Sequence, residues 1–299
     1  MPSTTSLWIA FAIIAALSQV ARNAMQRNLT KPLGTWGATN IRFLFGFPFS
    51  ILFLAIVLIA SGDRLGWPPA VFWPWLLLGA LTQILGTGLM LLAMTERSFV
   101  VTTAYLKTEA IQTAIFGFVF LGDHLTWMKV AAILIATAGV AVTALRPGGG
   151  KGFGEIRPTI TGLISAAAFA LSAVGFRGAI IAVPEVSFVT AASFTLALSL
   201  LAQTLILTIY LLWRAPKVLQ TILGLWKPSM LAGFVGALGS QFWFLAFALT
   251  AAANVRTLAL VEVLFAQGVA YHSFKQALSA REFSGIVLIV AGVALLVAA

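Results

Sequence analysis

Uncharged runs of about 20 residues, the length an α-helix needs to cross the hydrocarbon of a bilayer, recur from one end of this chain to the other. Cut at charges, Pro, Gly and Trp, the 299 residues yield ten candidate spans. They lie near 6–27, 35–60, 71–95, 98–121, 126–145, 159–180, 186–213, 229–250, 254–274 and 282–298. A soluble domain keeps about a quarter of its residues charged. This chain has 9% charged and 61% hydrophobic residues, with a mean hydropathy of +1.03, so it cannot cover itself with a water-compatible surface. The expected fold is an all-α integral membrane protein. The net charge is +10, but the basic residues stand singly in short connections. That distribution points to anionic lipid headgroups as partner, not to nucleic acid. With no cysteine there is no disulfide framework and no thiolate metal or redox centre. The opening "MPSTTSLWIAFAIIAALSQVA" lacks a basic leader region and reads as an uncleaved span. In the longest gap, 214–228, Val218, Leu219, Ile222, Leu223 and Trp226 recur at helical spacing. They predict a short helix lying at the interface.

The one Gly-rich linker, "RPGGGKGFGEIRP" at 146–158, falls at the midpoint and invites a search for a repeat. A shift of 153 residues carries Glu109 onto Glu262, Gly86 onto Gly239 and "AGVA" at 138–141 onto "AGVA" at 291–294. Apolar matches are cheap in such a composition. The matched glutamates are not, because the chain has only 8 acids. Two halves, 1–148 and 149–299, each then hold five spans. An odd number inverts the second half relative to the first, the plan of secondary transporters with a site near the membrane midplane.

The segments "TEAIQTAIFGFVFLGDHLTWMKVAAILIATAGVAV" and "VEVLFAQ…REFSGIVLIVAGVALL" resemble the EamA repeat of the drug/metabolite transporter superfamily. That family shows a Glu-Pro pair in a span, a Gly-Glu turn and a helix ending Gly-Val. Glu109 and Glu262 match its Glu, and Asp123 in "LGDHL" takes the acidic place of the turn. The sequence departs where Ala110 and Val263 replace the Pro, where "FKQAL" at 274–278 lacks the acidic turn, and where Ala132 stands against Gly285. The resemblance implies a ten-helix carrier of small metabolites and leaves the substrate open. The absent prolines leave no sequence signal for a helix break at the two glutamates.

A carboxylate at mid-span costs a few kcal/mol on insertion scales, so Glu262 is expected to face the bundle interior or a wet cavity. One reading keeps it protonated as polar glue between helices. The other makes Glu109 and Glu262 a pair facing one central cavity, where burial and mutual proximity suit proton binding. Thr102, Tyr105, Glu109, Gln112 and Thr113 share one helical face by spacing, with Lys107 pointing elsewhere, toward another helix or the cavity rim. Gln83 on the third span, and Ser240, Gln241 and Trp243 on the eighth, add mid-span polar or aromatic groups. Trp36, Trp67, Trp73, Trp213 and Trp226 lie near span ends, as an interfacial belt expects. Glycines at 79, 86 and 88 and at 233, 236 and 239 read as helix contacts. Arg22, Arg42 and Arg256 are cations without an evident partner. His124 and His272 are isolated near span ends, without metal spacing.

No nucleophile, metal or phosphate motif supports an enzyme, no cofactor is implied, and no output domain supports a sensor. The expectation is a secondary active transporter of a small polar or zwitterionic, amino-acid-like metabolite. It would work by alternating access, with proton coupling at Glu109 and Glu262, and with Gln83, Tyr105, Gln112, Gln241 and Trp243 orienting the substrate. The alternative is an exporter of lipophilic drugs or other hydrophobic compounds. The expected setting is a bacterial inner membrane, as monomer or homodimer.

Charge also predicts orientation. The odd-numbered connections carry Arg22, Arg27, Lys31, Arg97, Arg146, Lys151, Arg157, Arg214, Lys217, Lys227, Lys275 and Arg281, against Arg64, Lys129, Arg177 and Arg256 in the others. Basic short loops stay cytoplasmic, which places both termini outside, whereas the family resemblance implies cytoplasmic termini. The cysteine-free chain gives a direct test on intact cells with an impermeant maleimide. Ser3→Cys is expected to label and Gly149→Cys to remain unlabelled; the reverse pattern overturns the charge-based orientation.

Overall fold

Pro32 and Gly34 turn what would be one 41-residue helix into two. Gly34 has φ 68°, ψ 176°, a left-handed conformation that only glycine reaches at low cost, and Pro32 withholds a helix donor. The chain therefore enters as one apolar arm, Ser6–Asn23, and returns as a second, Leu29–Ser61. The computed structural model describes residues 4–96, 102, 105–144, 156–265 and 280–299. The elements are α1 (Thr4–Leu44, carrying the break), α2 (Phe47–Ser61), α3 (Phe72–Glu96), α4 (Glu109–Phe116), α5 (Trp127–Ala144) and α6 (Ile156–Ile181). There follow α7 (Phe188–Arg214), α8 (Pro216–Gly224), α9 (Trp226–Leu249), α10 (Ala252–Leu258) and α11 (Ala280–Ala298). The described residues contain no strand.

Among the described residues, seven helices are long and apolar enough to cross a membrane. They correspond to the first, second, third, sixth, seventh, eighth and tenth expected spans. The fifth is the shorter apolar helix Trp127–Thr143. The fourth and ninth depart from expectation, because neither is one continuous helix in the described residues. The fourth is interrupted by a turn at Lys107 and Thr108, between helical residues 105–106 and the regular helix from Glu109, and passes through a wider turn at Gly117–Leu121. The ninth runs through α10, a tight turn at Ala259–Val261 and a short helical stretch over 262–265. Both breaks form without the proline that the sequence lacks. The interfacial helix expected at 214–228 is α8; it buries Ile222, whereas Leu223 and Trp226 are exposed. Residues 145–155, His272, the 274–278 segment and the end of the ninth expected span lie outside the described residues.

The helices meet where side chains are small. The closest-packed pairs are α1 with α9, α3 with α6 and α5 with α11, followed by α2 with α7. A Cβ added at Gly139 would lie 2.7 Å from the Gly285 carbonyl oxygen, and one at Gly292 would lie 2.8 Å from that of Ala132. Gly79 sits on the Phe176 ring, Gly86 on Phe169 and Gly233 on Phe45, the close approaches expected of those glycines. In hydrocarbon such packing replaces the hydrophobic driving force between helices. The outer faces carry exposed Leu52, Ile56, Ile59, Leu81 and Ile209, an apolar surface suited to lipid. Trp213 and Trp226 are exposed at helix ends and Trp67 in the α2–α3 connection; Trp36 instead packs inward on Gly88.

Outside the spans, Asp63 ties the α2–α3 connection to the start of α7. Its Oδ2 accepts from Ser187 Oγ (2.6 Å) and N (3.0 Å). These bonds, the Ser187 hydroxyl first, hold the Asp63 carboxyl down at about 2. A carboxyl lowered on folding contributes stability that is complete above its unfolded value of 3.8 and fades as pH falls toward 2. Asp63→Asn is therefore expected to flatten the pH dependence of Tm in that window and to lower Tm at neutral pH, where the carboxylate's contribution is complete.

Gly139→Leu is expected to be far more damaging, because backbone stands on the other side of the contact. Overpacking of this kind costs about 1–3 kcal/mol or more, roughly a 5 °C fall in Tm for the purified protein. Gly62→Ala, which meets no neighbour within 4 Å, separates the strain of a positive φ from a true clash.

Candidate functional site: two crossed ion pairs at helix breaks

Each helix break delivers a carboxylate to the interior. Glu109 occupies the first turn of α4, and Glu262 opens the helical stretch after Ala259–Val261. An acid at a helix start is favoured by the unpaired N–H groups there. Arg256 stands in the last turn of α10, the favourable end for a cation.

The two carboxylates do not face one another as a dyad. Glu109 Oε1 lies 2.9 Å from Arg256 Nε, and Glu262 is ion-paired with Lys107. Each pair joins a residue from before the midpoint linker to one from after it. Lys107, Arg256 and Glu262 are buried and Glu109 is mostly so. A buried pair of this kind survives only if its remaining polar atoms are also served. Glu262 Oε2 accepts from Gln19 Nε2 (3.2 Å). Gln19 Oε1 in turn accepts from Trp243 Nε1 (3.1 Å). The Arg256 guanidinium stacks over the Trp243 ring at 4.8 Å and the Phe247 ring at 5.3 Å, a cation–π arrangement. The Arg256–Glu109 pair is less complete: Nε and Oε1 are close, yet neither makes an aligned hydrogen bond. Gln19, Lys107, Glu109, Ala110, Arg256, Ala259 and Leu260 line a gap with space for about one water. Charge is thus gathered in a closed, polar site.

The structure brings Glu109, Glu262 and Trp243 together here and distributes the other expected residues elsewhere. Gln83 accepts from Gln203 Nε2 (2.9 Å) between α3 and α7. Gln241 donates to Ser193 Oγ on α7 (2.7 Å). The Tyr105 hydroxyl accepts from Thr159 on α6 (2.9 Å), and Gln112 donates back to Thr108 (3.1 Å). Of the helical face expected for Thr102, Tyr105, Glu109, Gln112 and Thr113, the last three stay together on α4, and the turn at Lys107–Thr108 stands between them and Tyr105. Lys107 does reach another helix, as its offset from Glu109 suggested. Gln19, between Ser18 and Arg22 in the first span, takes its bridging role only from the fold.

Three cations assigned by sequence to connections, Arg256, Arg177 and Arg22, lie within helices. Arg177 lies within α6, donates to the Phe247 and Thr250 carbonyls at the end of α9, and pairs with Asp123 at 3.6 Å. The acid of the "LGDHL" turn thereby holds the group that caps α9. Arg22 is likewise buried in α1. His124 is exposed, and among the described residues no cluster of His, Cys, Asp or Glu could hold a metal ion.

Residues 6–145 match the EamA-like transporter family. No curated protein matches the chain. A solved crystal structure with 17% sequence identity superposes with a TM-score of 0.70, covering 98% of this chain and 97% of its own; at that identity the likeness speaks for the fold.

Removing one partner of a buried ion pair leaves a charge stranded, at a cost of about 3–5 kcal/mol. Lys107→Met is accordingly expected to lower Tm sharply. Lys107→Met with Glu262→Gln should recover most of the loss, because the two sites are coupled. Equal melting of wild type and the single variant would show that the pair carries no stability.

Proposed function

We propose that this chain, whose residues 6–145 match the EamA-like transporter family, is a multi-pass membrane transporter that moves a small zwitterionic metabolite by alternating access between two inverted five-helix repeats. The observation that carries this reading is the crossed pairing of Glu109 with Arg256 and Glu262 with Lys107. A zwitterion offers a cation to the carboxylates and an anion to Lys107 and Arg256. It can therefore replace both protein pairs without leaving a buried charge alone. The apposed groups would separate as the substrate enters and close again once it leaves. A polar, charged lining favours this substrate class over a lipophile.

Helix pairing supports the repeat. If a two-fold axis relates 1–148 to 149–299, the α1–α9 contact becomes the α3–α6 contact, and α5–α11 and α2–α7 map onto themselves. Under the 153-residue shift Gly139 becomes Gly292 and Gly285 becomes Ala132. The contact of Gly139 with Gly285 then matches that of Gly292 with Ala132. Broken helices whose ends carry the charged groups are the familiar arrangement of inverted-repeat carriers. Either carboxylate could accept a proton when its cation withdraws, which would couple transport to a pH gradient. A bacterial inner membrane is the setting in which such a gradient is available.

The test is flux in proteoliposomes against a panel of amino acids and related zwitterions. Saturable, pH-gradient-driven accumulation is expected for wild type. Glu262→Gln, which keeps shape and removes the titrating group, should lose accumulation by at least about tenfold, equivalent to ~1.4 kcal/mol, while counterflow exchange persists. Wild-type accumulation by both Glu109→Gln and Glu262→Gln across the pH range would end the coupling role.

A further inference from the structure

The four charges of the crossed pairs sum to zero, yet two more cations lie beside them. Arg22 and Arg42, on the two arms of α1, are each 3% exposed. Both stems lie across the same glycine: a Cβ at Gly236 of α9 would be 3.4 Å from Arg22 Cδ and 3.6 Å from Arg42 Cγ. Their hydrogen bonds go to neutral groups only. Arg22 Nη2 donates to Asn23 Oδ1 (3.0 Å) and Arg42 Nη1 to Thr87 Oγ1 (3.1 Å). Arg22 Nε and Nη1 and Arg42 Nε are buried with no partner. Among the described acids, the helix-interior carboxylates Glu109 and Glu262 are already held by Arg256 and Lys107, and Asp123 by Arg177.

Helix packing accounts poorly for this arrangement. A buried charge without a counter-charge costs several kcal/mol, and here two lie side by side. The Gly34 break is what folds the second arm of α1 back so that position 42 reaches the glycine that position 22 crosses. Guanidinium groups present their N–H donors in a planar fork that fits the two oxygens of a carboxylate or phosphate. Gln19, one helical turn before Arg22, is the residue that holds Glu262, so the fork adjoins the crossed pairs.

We propose that Arg22 and Arg42 form an oxyanion site that receives the carboxylate or phosphate group of the transported molecule. The idea rests on the transporter reading above and adds to it that the substrate carries an anionic group bound by α1 and not by Lys107 and Arg256 alone. The same chemistry could come from an anionic lipid headgroup, and the experiment separates the two sources.

Full-length protein is placed in nanodiscs of phosphatidylcholine, with or without phosphatidylglycerol. Tm is followed on titration with propionate, inorganic phosphate and, as a cationic control, methylammonium, at constant ionic strength. Saturable binding to the native state alone raises Tm. Propionate or phosphate is expected to raise it by at least about 3 °C at saturation in both lipid compositions, and methylammonium not at all. Arg22→Gln and Arg42→Gln should abolish the rise. Arg42→Lys, which keeps the charge and loses the fork, should retain part of it and guards against variants that fail to fold. Absence of any oxyanion response in wild type overturns the proposal without recourse to a variant, as does an equal response in the Gln variants. Stabilisation by phosphatidylglycerol alone would make this a lipid site and also overturn it. Because binding is read without flux, protein that transports but ignores oxyanions refutes this site only. Protein that binds them but never accumulates substrate refutes the transport reading instead.

Discussion

A carboxylate buried among apolar helices must find a cation, and Glu262 finds it at Lys107, on a segment more than half the chain away. Much of the interior is arranged around that requirement and its counterpart at Glu109. The helices break so that the acids stand at helix starts and Arg256 at a helix end. Gln19 and Trp243 complete the network from α1 and α9. Because each pair links the first half of the chain to the second, the pairs are also cross-braces. An ion pair in a low-dielectric interior is strong only while its geometry is good, so it behaves as a latch that is either closed or open.

Packing supplies the surfaces on which such a latch could work. Where α5 meets α11 the backbones touch through Gly139, Gly285 and Gly292, leaving little freedom for sliding. The helices that bear the charged groups are shorter and interrupted. Backbone hydrogen bonds cross the turns at Lys107–Thr108 and Ala259–Val261 at tighter spacing, with Thr108 N donating to Tyr105 O and Ala110 N to Lys107 O, and Glu262 N to Ala259 O.

The distribution of cations sharpens the chemistry. Arg177 is consumed by the end of α9 and by Asp123, a structural task. Arg256 and Lys107 are consumed by the glutamates. Arg22 and Arg42 have only neutral partners. Among the described residues, Arg22 and Arg42 thus carry buried positive charge with no carboxylate hydrogen-bonded to it.

What the sequence determined by itself was the medium and the actors. Length and continuity of apolar runs decide for helices in a bilayer, because hydrocarbon offers backbone groups no other partner. The rarity of acids in such a composition made Glu109 and Glu262 conspicuous before any fold was known. Glycine spacing likewise foretold the contacts at Gly79, Gly86 and Gly233, since only a missing side chain permits that approach. The partners were decided by tertiary structure. Helical spacing relates residues three and four apart on one helix; it is silent about which helices lie side by side, and it fails where a helix breaks. Tyr105 lies on the far side of the turn at Lys107–Thr108 and its hydroxyl meets Thr159 on α6, whereas Gln112 shares α4 with Glu109 and bonds back to Thr108. Gln83 and Gln241 found neighbours on α7 instead of the charged cluster. Arg177, Arg256 and Arg22 looked like loop cations because sequence reveals a charge but not the depth at which its counter-charge waits. Only the folded chain could bring Lys107 to Glu262 and Arg256 to Glu109, since ion pairing at a distance depends on the path of the whole backbone between them.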